Sequence, residues 1–204
     1  MNANVSKLLN EQINNEFYSA YLYLDFANYY AAVGLDGFEN WYRVQAQEER
    51  DHAMLFYQYL QNNGAGVTFE AIAKPEWERG DHMAPLKKAL EHEMLITASI
   101  NAIYAAAYEV RDFRTMQMLD WFIKEQGEEE KNAADLITKM ELFGGDSKGL
   151  YMLNSELKAR VYNRALAGAV SPACLRAFAS GKRQTTYRWP AFSSTRWLDL
   201  TDYV

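Results

Sequence analysis

FENWYRVQAQEERDHAMLFYQYL, residues 38–60, is the stretch whose period decides the fold. Alternating steps of four and three residues from Phe38 pass through Tyr42, Gln45, Glu49, His52, Phe56 and Tyr59. That is the spacing of one face of an α-helix, apolar at both ends and ionisable in the middle. A core-facing stripe carries a carboxylate and an imidazole only if something compensates their charge.

The same pattern recurs three times along the chain. The other stripes run Leu9, Ile13, Glu16, Ala20, Tyr23, Ala27; Leu86, Ala89, Glu93, Ile96, Ile100, Ile103, Ala107, Val110; and Leu119, Phe122, Gln126, Glu129, Ala133, Leu136, Met140, Phe143. None of the four segments has an internal proline, and each is longer than the average globular helix, as a bundle requires. The links Leu35–Gly37 and Asp112–Arg114 are short, so helices one and two, and three and four, form antiparallel hairpins. The link from Gln61 to Ala84 carries Gly64, Gly66, Pro75 and Gly80. At roughly 3.3 Å per residue it can run the full length of a bundle whose helices are about 39 Å long. The expected fold is therefore all-α, a four-helix bundle with one long crossover. Gly144–Gly145 stops the fourth helix, and Ser147 to Tyr162 reads as a short fifth one. Residues 1–162 then form one domain, and 163–204 an appended, irregular, basic and aromatic tail.

The net charge of −6 is unevenly spread, because residues 163–204 carry +4 and the remaining body therefore −10. An acidic body argues against nucleic acid as a partner and is compatible with attracting cations. The single cysteine, Cys174, excludes an intrachain disulfide framework and a thiolate metal site. No run approaches 18 consecutive apolar residues, so no membrane span is expected, and the N-terminal MNANVSKLLNEQINNE has no signal-peptide pattern. These features fit a cytoplasmic protein.

The polar interruptions of the four stripes fall at similar heights. Glu93 lies 18 residues before Arg111 and Glu129 lies 15 after Arg114, a difference of about one turn. Glu16 is 17 residues before Val33, while Glu49 and His52 are 11 and 14 after Phe38. Buried together without compensation, Glu16, Glu49, Glu93 and Glu129 would cost several kcal/mol each or stay protonated. No Lys or Arg lies on these stripes, so the cation must come from outside. Hard carboxylate oxygens with one imidazole suit iron or manganese, and four carboxylates match the charge of two divalent ions. The i, i+3 spacing of Glu49 and His52 turns both to one face.

These segments also carry a family resemblance. LNEQINNEFYSAYLYL, AQEERDHA, EHEMLIT and EQGEEEK resemble, in order, the four helix signatures of bacterial non-haem ferritins, and GLYMLNSELKARVY resembles their fifth helix. The resemblance covers residues 1 to about 162. It implies a ferritin-like bundle that stores iron and has ferroxidase activity, oxidising Fe(II) with oxygen or peroxide inside a hollow homo-oligomeric shell of twenty-four subunits. It also implies a first iron on Glu16, Glu49 and His52, and a second bridged by Glu49 and held by Glu93, with Gln126 and Glu129 alongside. A third iron position would draw on Glu48, Glu125 and Glu128 beside Glu129. Tyr23 matches a tyrosine near the centre and Trp121 a nearby tryptophan. Bacterioferritins and rubrerythrins carry a second ExxH on helix four, where this chain has Gln126 and Glu129, and no haem is expected. The alternative is a permanent di-iron or di-manganese oxidase or oxygenase that stores nothing.

Overall fold

The computed structural model describes residues 1–163. Most of the expected tail, from Arg164 onward, lies outside the described residues. Five helices are present among them: α1 (Ala3–Ala32), α2 (Asp36–Asn62), α3 (Ala84–Glu109), α4 (Phe113–Phe143) and α5 (Ser147–Leu157). Their starts follow from local chemistry. The Asn2 side chain accepts from the first-turn amides of α1, Asp112 from Thr115 N in α4, and Asp146 from two amides of α5. Pro85 opens α3, where its missing N–H has no partner to lose. Gly34, at φ +76°, turns the chain from α1 into α2.

The core consists of two apolar clusters, one at each end of the bundle. The first joins the end of α1 (Leu22, Phe26, Tyr30) to the start of α2 (Phe38, Tyr42), the start of α3 (Leu86, Ala89), the end of α4 (Leu136, Met140) and α5 (Leu153, Leu157). The second joins the start of α1 (Val5, Leu9, Ile13) to the end of α2 (Phe56, Leu60), the end of α3 (Ile100, Ile103) and the start of α4 (Leu119, Phe122). These groupings fix the directions: α1 and α2 are antiparallel, α3 runs parallel to α2, and α4 returns antiparallel. This is the ferritin-like bundle with one long crossover. Each fully buried large apolar side chain contributes about 1.5–3 kcal/mol, so the two ends hold the bundle together.

The crossover travels the length of α1. The Asn10 amide donates to Gly66 O at 3.1 Å, and its carbonyl accepts from Thr68 N at 2.7 Å. Farther along, Trp77 Nε1 donates to Asp25 at 2.7 Å, and Arg79 bonds both oxygens of the same carboxylate at 3.0 and 3.1 Å. Tyr30 OH then donates to His82 O at 2.7 Å. No described helix is long and apolar enough to cross a membrane.

The fifth helix is shorter than its sequence suggested, ending at Leu157 and not at Tyr162. Beyond it the amides of Ala159 and Arg160 take tight turn bonds to Glu156 O and Leu157 O. The Asn40 side chain then captures the carbonyls of Lys158 and Arg160 at 3.3 and 3.0 Å, so α2 draws the chain out of the helix. α5 is docked by a cap in trans. The start of α2 has no side-chain cap from Leu35, and Asn154 Oδ1 instead accepts from Gly37 N at 2.8 Å and Phe38 N at 3.3 Å. A Cβ on Gly37 would stand 1.7 Å from Asn154 O, so only glycine allows this approach. Gly127, inside α4, has open space around it, and nothing in the structure explains it.

Asn154→Ala should destabilise the protein by about 1–2 kcal/mol, the range for a lost helix cap, as read by chemical denaturation. Gly37→Ala should expose α5 amides to hydrogen exchange while those of α1 stay protected. Unchanged α5 protection in Gly37→Ala would refute the role given to this contact.

Candidate metal centre

Between the two apolar clusters lies a polar layer. Glu16, Gln45, Glu49, His52, Glu93, Gln126 and Glu129 are all buried, none more than 6% exposed. Each helix of the bundle supplies its mid-height residue because the heptad-like stripe that packs the ends also turns this position inward. The polar interruptions of the four stripes are thus buried on all four helices.

At its centre, Glu16 of α1 and Glu49 and His52 of α2 each offer a ligand atom within 4.8 Å of the others. Among the described residues this is the group of three acidic or imidazole side chains able to hold a metal ion. His52 Nδ1 lies 3.3 Å from Glu49 Oε2. Among the described residues, two buried side-chain atoms have no hydrogen-bond partner, Glu16 Oε2 and His52 Nε2. Such atoms are rare in folded proteins and cost free energy unless an ion or water meets them. One amide four residues upstream orients each carboxylate: Gln12 Nε2 donates to Glu16 Oε1 at 2.8 Å, and Gln45 Nε2 to Glu49 Oε1 at 2.9 Å.

Glu93 and Glu129 form the other half of the layer. Tyr23 OH donates to Glu93 Oε1, and Gln126 Nε2 donates to Glu93 Oε2 at 3.0 Å. Tyr23 and Gln126 thus each hold one oxygen of the same carboxylate. Tyr23, Gln45, Glu93 and Glu129 line a void of about 20 Å³, room for one small occupant. Trp121 packs edge-on to His52 with centroids 5.5 Å apart.

The electrostatics describe a site short of positive charge. Burial, then the neighbouring Glu49, push the Glu16 carboxyl up to about 8. Burial and Glu49 likewise push Glu129 up to about 7, and raise Glu93 well above the carboxylate range. Burial disfavours a charged His52, but Glu49 beside it outweighs that and lifts the imidazole to about 10. Burial also works against a charged Glu49, yet His52 overrides it and holds that carboxyl below its ordinary value. Protons thus take the place that metal cations would fill. Four carboxylates, one imidazole and no thiolate are a donor set for hard or borderline ions such as iron and manganese.

The remaining expected residues fall differently. Glu48 is bound to Arg160 at 2.5 Å. Glu125 is half-buried, and Glu128 is exposed and paired with Lys124 at 3.0 Å. Glu48 and Glu125 both lie close enough to Glu49 and His52 to feel their charge. Several polar neighbours escaped the sequence reading. Gln12 is fully buried and was visible in principle, since its i, i+4 spacing to Glu16 repeats that of Gln45 to Glu49. Ser19 Oγ and His92 Nε2, 2.7 Å apart, and Arg160 arrive through tertiary packing alone.

The family model for the ferritin-like domain matches residues 6–143. A bacterial non-haem ferritin-like protein of Haemophilus influenzae is 34% identical over 157 residues, covering 77% of this chain and 95% of its own. A bacterial non-haem ferritin of Staphylococcus aureus is 31% identical over 163 residues, covering 80% of this chain and 98% of its own. Among solved structures, an open-pore ferritin from the archaeon Archaeoglobus fulgidus superposes with a TM-score of 0.77 at 39% identity, over 79% of this chain and 99% of its own. An engineered closed form of that ferritin gives 0.78 at 39% identity, over 80% and 99%. With its crossover bundle, its mid-height layer of carboxylates and this likeness along most of its length, the chain belongs to the bacterial ferritin-like, di-iron carboxylate family.

Proposed function

We propose that this chain is the subunit of an iron-storing ferritin and that the polar layer is its ferroxidase centre. The observation that carries the reading is the pair of unpartnered buried atoms, Glu16 Oε2 and His52 Nε2, on ligands already within reach of one ion. The first Fe(II) is held by Glu16, Glu49 and His52. The second lies between Glu49 and Glu93, with Glu129 and Gln126 beside it. Fe(II) is the substrate: each ion gives one electron to oxygen or peroxide, which takes up the protons the centre releases. Carboxylate oxygens favour Fe(III) over Fe(II) and so ease the oxidation. A single imidazole keeps the site weak enough to pass iron on to a mineral. Tyr23 and Gln126 each hold one oxygen of Glu93, and Gln12 and Gln45 each hold one oxygen of Glu16 and Glu49 respectively. The relatives support an assembled shell, and residues 1–162 would build its wall, with 163–204 appended.

His52→Ala should slow the initial aerobic oxidation of Fe(II) by about tenfold or more without loss of helicity. An unchanged rate at low iron loading would remove His52 from the centre. Sedimentation of the iron-loaded protein should show a particle of about twenty-four subunits carrying many irons per chain. A monomer or dimer that keeps only its bound pair would point instead to a permanent di-metal oxidase.

The metal-free protein should lose stability as pH rises. Glu16, at about 8, and Glu129, at about 7, start from 4.5, so above that value the folded state keeps protons that the unfolded chain has released. His52 acts in the same direction, its stabilisation complete below 6.5 and lost as pH rises toward 10. Glu49, held low, gives a stabilisation that is complete above 4.5 and lost only as pH falls below it, so it leaves this slope unchanged. Thermal midpoints of the metal-free protein should therefore fall from about pH 6 to 9, and saturating Zn(II) should flatten the slope. A metal-free midpoint that rises over this range would show that the layer does not hold its protons as described.

A further inference from the structure

The third iron position implied by family resemblance needs Glu48 free, and in this chain Glu48 is occupied. Arg160 Nη2 lies 2.5 Å from Glu48 Oε2, with both side chains only 17% exposed. The guanidinium is held on two more sides. It stacks over the Trp41 ring at 4.1 Å from the centroid, and its Nη1 donates to Trp41 O at 3.4 Å. Planar, permanently charged and stacked, it is a cation the site cannot easily shed.

The segment carrying it is tied down along the same face of α2. Lys158 Nζ pairs with Asp36 at 2.6 Å, Asn40 holds the carbonyls of Lys158 and Arg160, and Tyr162 OH donates to the buried Asp51. Residues 158–162 therefore form a strap along α2, with contacts at Asp36, Asn40, Glu48 and Asp51. Glu48 is one residue from Glu49. An ion using Glu48 must displace the guanidinium or bind against its charge, and at this separation and degree of burial like charges repel strongly.

We propose that Arg160 is an intramolecular cation that keeps the Glu48 side of the centre closed to a third metal ion, and that the 158–162 strap is its latch. Resting on the reading of the polar layer as a metal centre, this makes Arg160 a positioning residue that limits how many ions the centre accepts.

The test is anaerobic calorimetric titration of the full chain with Fe(II), combined with hydrogen exchange across 158–163. Wild type should bind about two Fe(II) per subunit tightly, and Arg160→Gln about three, the first two within about threefold of wild type. Arg160→Lys keeps the charge and should stay at about two. Glu48→Gln should speed exchange in the strap yet add no ion, since the ligand is gone. If Arg160→Gln fails to fold, Asn40→Ala, which frees the strap carbonyls, should give a weaker third ion. Three ions in wild type, or two in an Arg160→Gln protein whose strap exchanges freely, would overturn the latch and leave the two-ion centre standing. No ion bound by wild type would overturn the centre and the latch together.

Discussion

Four carboxylates must share one buried layer in the middle of this bundle, and the rest of the structure is arranged around that constraint. Their mutual repulsion and loss of hydration oppose folding, which is why burial and Glu49 drive Glu16 and Glu129 toward neutrality and why His52 is held charged. The opposing free energy comes from the ends. Two apolar clusters, each drawing on all four helices of the bundle, clamp the layer from above and below. Amide and phenol donors from Gln12, Gln45, Gln126 and Tyr23 then fix the carboxylates in orientation without neutralising them. A set of salt bridges would have stabilised the layer more and left it unable to take up a cation.

Much of this was legible in the sequence because it rests on periodicity. The polar interruptions at Glu16, Glu49, Glu93 and Glu129 sit in otherwise clean helical stripes, and the lengths of the links fix which helices are neighbours. The tall crossover between α2 and α3 followed from chain reach alone. What the period could not reveal is what crosses between elements. Nothing in the spacing of Arg160 says that it returns to Glu48, or that Asn154 caps a helix 116 residues away in the chain. The end of α5 was misplaced for the same reason. The sequence through Tyr162 tolerates a helix, and it is the capture of its carbonyls by Asn40 that stops one. His92 could not be assigned either, since its partner Ser19 lies off the stripe on another helix.

Glu48 and Glu128 show how a side chain of the expected type can already carry a partner. Glu128 of EQGEEEK is exposed and paired with Lys124, and Glu48 of AQEERDHA is paired with Arg160. A match of residue types fixes what a site could bind. Local pairing decides which of those side chains are available to bind it.

The division of the core into two apolar halves has a mechanical consequence. Side-chain interdigitation makes each end stiff, whereas the layer between them is held by a few hydrogen bonds and by charges that prefer water. Fluctuations that part the helices therefore cost least at mid-height, where opening rehydrates carboxylates and forfeits little apolar contact. The bundle behaves as two rigid collars joined by a compliant waist. Opening of this kind leaves the packing of the two collars unchanged.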